Sequence, residues 1–215
     1  MTTTALHQHA THRSVARTRH LLTATASAGL LFYVSSTVQA LARDGFNLRV
    51  HPLSQLATGS LGWIQAVTFV LAGVGVLALA VAHRCIVTDG VGARVVPLFL
   101  GIFGSGFITA GCFPMDPQNG FPIGAPEGSV DMSWHAVVHS AAAALSFLAL
   151  AAACIALLVR ALRARRRWAA VGHGVTAAVL LLPVSPSESS IQVAVTGLVA
   201  FTWVTMYSLG LRRGL

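Results

Sequence analysis

The chain has 215 residues, of which 55% are hydrophobic and only 9% charged, with a mean hydropathy of +0.73. A soluble domain carries about 25% charged residues, so this chain cannot cover a globule with charge, and lipid must be the solvent for most of it. The net charge of +8 comes from arginine alone, set in short clusters between apolar runs without interleaved aromatics, which speaks against nucleic acid as a partner and for an oriented membrane protein.

Residues 1–20 read as a disordered basic tail and 21–211 as one transmembrane domain, leaving 212–215 as a second tail. Six apolar runs, about 21–42, 61–82, 94–112, 132–159, 168–184 and 191–211, each approach the ~20 residues that cross a bilayer as a helix, the fifth being the shortest. They are continuous, rich in Ala and Leu, and do not alternate, so strands are not expected. The first run ends in "ALA", Ala40 to Ala42, a small-x-small cleavage pattern, but it exceeds the ~7–15 apolar residues of a signal segment and is read as a retained span. After it comes the long loop "RDGFNLRVHPLSQLATGS", with a polar cluster of His51, Ser54 and Gln55. Trp63 and Gln65 open the second run, where a buried amide would seek a partner on another helix. Gly101, Gly104, Ser105, Gly106 and Gly111 crowd the third run and predict close packing at the centre of the bundle. A second long loop, "FPMDPQNGFPIGAPEGSVD", precedes the fourth run, and Pro183 and Pro186 end the fifth.

Twelve of the fourteen arginines fall on one side of this pattern, among them Arg160, Arg163, Arg165, Arg166 and Arg167, while Arg43 and Arg49 alone fall on the other. The positive-inside rule makes the arginine-rich side cytoplasmic and puts both termini there. The expected fold is therefore all-α, a polytopic bundle of six transmembrane helices in the cytoplasmic (inner) membrane. Anionic lipid headgroups are the expected partners of Arg160 to Arg167. Cys85, Cys112 and Cys154 form no CxxC pair and read as small apolar fillers.

The chemistry collects on the arginine-poor side. In "SVDMSWHAVVHS" Asp131, His135 and His139 recur every four residues, a spacing that puts them on one helix face about 6 Å apart along the axis. Two imidazoles at this spacing can hold a divalent metal such as zinc if Asp116, Asp131, Glu188 or His51 supplies a third ligand. Without metal the same groups can move protons. The plainer reading makes Asp131 an N-cap and His135 an interfacial ring. Asp116 sits in "GCFPMDPQNG" between Phe113 and Phe121, with Phe103, Phe107, Trp63 and Trp134 as candidate pocket walls. A buried carboxyl there would be an acid beside aromatic faces, whereas an Asp-Pro turn is its plainer role. His83 and His173 near the arginine-rich side have the residue type for a bis-imidazole haem, but nothing else in the chain supports haem.

The stretches "HPLSQLATGSLGWIQAVTFVLAGV", "GCFPMDPQNG" with "HAVVHS", and "SPSESSIQVAVTGLVAFTW" resemble the bacterial and archaeal six-span family known as domain of unknown function 998. The resemblance implies the same six-span topology and a polar outer site around Ser54, Asp116, His135 and His139; it implies no activity. The favoured function is an enzyme acting on a lipid or isoprenoid-like substrate. Asp116, His135, His139, Asp131 and Glu188 would do the chemistry; His51, Ser54, Gln55, Trp63, Gln65, Phe103, Phe107, Phe113 and Trp134 would bind. Metal-assisted hydrolysis through His135 and His139, or protonation-initiated cyclisation, are the two chemistries. The alternative is a non-catalytic lipid-binding accessory, partner subunit or carrier.

Overall fold

The computed structural model describes the backbone of residues 2–184 and 189–215, and side chains from residue 14 onward within those ranges. It contains six α-helices: α1 (Thr2–Ala42), α2 (Gly62–Ile86), α3 (Val95–Cys112), α4 (Trp134–Arg163), α5 (Arg167–Leu180) and α6 (Ser189–Arg213), with a short 3-10 turn at Leu53–Ala57. The described residues form no strand. The apolar runs thus became helices with ends close to those expected. The start differs: α1 runs back to Thr2 where disorder was expected, since neither glycine nor proline interrupts the chain before Gly29.

Five helices are long and apolar enough to cross a membrane, α1 doing so over Ser14–Ala42. The exception is α5, whose 14 residues reach only about 21 Å against a hydrocarbon core of about 30 Å. It ends three residues before Pro183. The described residues thus form the expected all-helical bundle of six helices, five of them of spanning length. The chain nonetheless returns to the far end of the bundle, because the Ser190 hydroxyl at the start of α6 donates to the Val50 carbonyl at 2.9 Å.

Close packing follows the small residues. α3 lies between α2 and α4, as its glycines predicted. A side chain at Gly104 would bring its Cβ to 2.8 Å from the Gly73 carbonyl on α2, and one at Gly106 would collide with Ser146 on α4. Polar glue joins α1 to α2. Gln39 donates to Gln65 Oε1 at 2.7 Å, Gln65 Nε2 donates to the Ser36 hydroxyl at 3.0 Å, and Ser35 and Thr68 share a hydrogen bond of 2.9 Å. Such contacts average about 0.6 kcal/mol in a bilayer, so their value lies mainly in fixing which faces meet.

Candidate functional site

The two long loops fold into a stapled roof over the arginine-poor end. His51 receives the Asn47 N–H on Nδ1 at 2.9 Å, so its proton sits on Nε2 and is donated across to the Asn119 carbonyl at 2.8 Å. Beside it Gln55 Nε2 donates to the Gln118 carbonyl at 2.9 Å. Phe46, His51 and Phe121 pack as a ring cluster, with the Arg43 guanidinium 4.7 Å from the centre of the Phe121 ring. Arg43 also donates to the Leu56 and Thr58 carbonyls at 2.6 and 2.8 Å. Burial lowers its pKa from the ordinary arginine value, yet a guanidinium starting so high stays charged. Both His51 ring nitrogens and the Gln55 Nε2 thus serve the roof, while Gln55 Oε1 is buried with no partner among the described residues; neither side chain is on the cavity lining described below.

Beneath the roof lies a cavity of about 70 Å³. Its wall is aromatic, with Phe32 and Tyr33 from α1, Phe69 from α2, Phe107 from α3 and Phe147 from α4. Phe32 stacks on Phe201 at 4.8 Å, and Phe107 meets Phe201 and Phe69 at 5.1 and 5.5 Å, which ties this wall into the core. Val193, Ala194 and Gly197 of α6 close the remaining side, and Tyr33 is held by donating its hydroxyl to the Ala194 carbonyl at 2.8 Å. Two polar side chains reach the lining otherwise: Ser54 of the 3-10 turn and His139 of α4.

The state of His139 follows from the end of α3. Pro114 has no N–H, so the Ala110 carbonyl loses the donor that a continuing helix would give it. The ring of His139, 3% exposed, takes that place: Nδ1 lies 2.9 Å from the Ala110 carbonyl and 2.9 Å from that of Phe113. Carbonyls only accept, so Nδ1 carries the proton and the neutral ring keeps its lone pair on Nε2. No described residue donates to that nitrogen, and none bonds the Ser54 hydroxyl. Among the described residues, an acceptor and a hydroxyl therefore stand without partners on one greasy cavity.

The other expected residues do not converge with them. The Asp116 carboxylate accepts the Ser133 N–H at 2.7 Å, holding the second loop to the start of α4. Ser133, not Asp131, is the N-cap, its hydroxyl accepting from the Ala136 N–H at 3.3 Å; Asp131 precedes the helix and is exposed, so it shares no helical face with the histidines. His135 packs against Trp134 and Phe113, at 3.7 and 5.9 Å between ring centres. Trp63 and Trp134 are each 63% exposed and off the cavity lining, and Phe103 and Gln65 are buried in helix packing rather than on the cavity. Glu188 lies outside the described residues. Among the described residues no three His, Cys, Asp or Glu side chains approach closely enough to hold a metal, so His135 and His139 have no third ligand there. His83 and His173 are likewise engaged, with Tyr207 and Trp203 respectively. Of the expected set, the cavity receives Ser54, Phe107 and His139. Phe32, Tyr33, Phe69 and Phe147 escaped the sequence reading, although "LFYV" inside the first run put two rings side by side in mid-span.

Helices of membrane-spanning length around a roofed aromatic cavity define a multi-pass helical membrane protein. Residues 26–211 match the family described as protein of unknown function (DUF998), and the chain belongs to that family. No curated protein and no solved structure matches the chain.

Proposed function

We propose that this chain is a membrane protein that receives the polar end of a lipid-like molecule in the cavity beneath the loop roof, where His139 Nε2 accepts its hydrogen bond. The observation that supports it is the fixed tautomer: two carbonyls hold the proton on Nδ1, which leaves Nε2 an acceptor with no partner among the described residues, on a ring that lines the cavity. Size sets the scale. The cavity, about 70 Å³, is under half the ~150 Å³ hollow that admits benzene, so it takes a chain end or a small polar head and not a folded polyene. Cyclisation, which must enclose several isoprene units and needs an acid at the π face, is the less favoured chemistry.

A catalytic reading is favoured by one further observation, the presence of Ser54 on the same lining. His139 would be the base and Ser54 the hydroxyl it activates toward an ester of a lipid. The two readings separate in one set of measurements. Lipids co-purifying with the parent protein are extracted and quantified beside those of Ala143→Phe, which fills the cavity from α4, and His139→Gln. A species retained by the parent and lost from both variants is expected; identical extracts from all three proteins overturn the proposal. A fluorophosphonate probe then labels Ser54 if the hydroxyl is activated, and labelling absent from parent and Ser54→Ala alike leaves binding as the function.

A further inference from the structure

At the opposite, arginine-rich end a second hollow of about 1000 Å³ opens between α4, α5 and α6. Its size is the upper end of ligand pockets, which run about 300–1,000 Å³. Leu157, Leu198, Val199, Met206 and Leu211 give it an apolar floor, and Gly172 and Gly210 lie along it with nothing within 4 Å of where a Cβ would stand. Arg160 and Arg166 sit on the lining with Trp168, which is 89% exposed. Arg160 is fixed, donating to the Asp89 and Val91 carbonyls at 2.7 and 3.1 Å, and no described carboxylate pairs with either arginine. Deeper in, the indole N–H of Trp203 donates to His173 Nδ1 at 2.9 Å. Since an indole only donates, the neutral His173 ring carries its own proton on Nε2 and offers a donor on the groove wall.

We infer that this groove is a binding site for one anionic phospholipid, its phosphate held by Arg160 and Arg166 and its acyl chains lying between α5 and α6. Charge selects the occupant. Arg160, held by two loop carbonyls, and the exposed Arg166 have no counter-ion among the described residues, and they stand where a headgroup would be, above an apolar trough that a water-soluble anion would not fill. The His173 N–H on the lining would donate to a glycerol ester, whose carbonyl accepts hydrogen bonds. The short α5 makes room for the chains, because it packs closely on α4 and only lightly on α6.

The test uses the full chain in detergent and native mass spectrometry, titrating phosphatidylglycerol against phosphatidylcholine of the same acyl chains. One phosphatidylglycerol is expected to be retained per protein, about tenfold in preference to the zwitterionic lipid. Gly172→Leu with Gly210→Leu fills the trough and abolishes retention. Arg166→Gln weakens it about fivefold, whereas Arg213→Gln, an equal charge loss off the lining, leaves it unchanged. Equal retention of the two lipids, or an Arg213→Gln effect as large as that of Arg166→Gln, overturns the inference in favour of diffuse surface attraction. Phosphatidylglycerol retained undiminished by the leucine pair overturns it too. If the leucine pair fails to fold, the comparison of Arg166 with Arg213 decides alone.

Discussion

Replacing His139 with leucine removes a single N–H donor and leaves two acceptors, the carbonyls of Ala110 and Phe113, facing a greasy interior. An orphaned buried polar group costs about 1–3 kcal/mol in proteins generally. Side-chain hydrogen bonds inside membranes average only about 0.6 kcal/mol, because the unfolded helices find other partners in the bilayer. That escape is narrower here: Pro114 denies Ala110 its usual donor whatever the helices around it do. One shared proton counts as one bond, so the cost is expected near 1.5 kcal/mol, roughly tenfold in the folding equilibrium constant. The assay is unfolding in mixed micelles of rising dodecyl sulfate fraction, followed by circular dichroism, on parent and His139→Leu. A loss under about 0.5 kcal/mol would mean that the two carbonyls are satisfied otherwise, and the tautomer assigned to His139 would lose its basis.

Other expectations follow from the same contacts. Gly104→Leu, aimed at the Gly73 carbonyl 2.8 Å from its first carbon, should destabilise by at least about 2 kcal/mol in the same assay, while Gly101→Leu, with nothing within 4 Å, should be near neutral. His51→Ala breaks the bond between the two loops, so amide exchange should quicken across 43–60 and 113–131 with α3 protected as before. Asp116→Ala should cost about 1 kcal/mol by exposing the Ser133 N–H, and Asp116→Asn much less, since an amide oxygen still accepts. Neither Asp116 variant should alter the lipids retained by the cavity, because the carboxylate is not on its lining; a change would restore Asp116 to the chemistry.

The helices were legible because a bilayer imposes a length on apolar runs, and the glycines of the third run announced the close contacts of α3. The span count was less so: 168–184 is apolar enough to read as a crossing, but the helix stops at Leu180 and residues 181–184 are not helical. The site was read in part. His139 stood out as an ionisable group one turn inside a span, and Ser54 as part of a polar loop. Its partner atoms could not be read, since they are backbone carbonyls on another helix, and a carbonyl leaves no mark in the sequence. The same limit misassigned His51, which bonds a carbonyl 68 positions away. Asp131 is exposed ahead of the helix, and Asp116 lies off the cavity lining because it accepts the Ser133 N–H. Carboxylates near a helix start serve the backbone N–H groups there, and spacing alone does not distinguish that duty from catalysis.

The roof decides from which phase a guest arrives. With its loops bonded to each other and cemented by Arg43 on Phe121, it covers the arginine-poor end, whereas α4 and α6, both on the lining, are not closely packed together. A lipid-like guest of the kind proposed for this cavity would then enter sideways from the bilayer. Occupancy would then follow the guest's mole fraction in the surrounding lipid, and scarcely its solubility in water, so a compound almost insoluble in buffer could saturate this protein at trace abundance in the membrane.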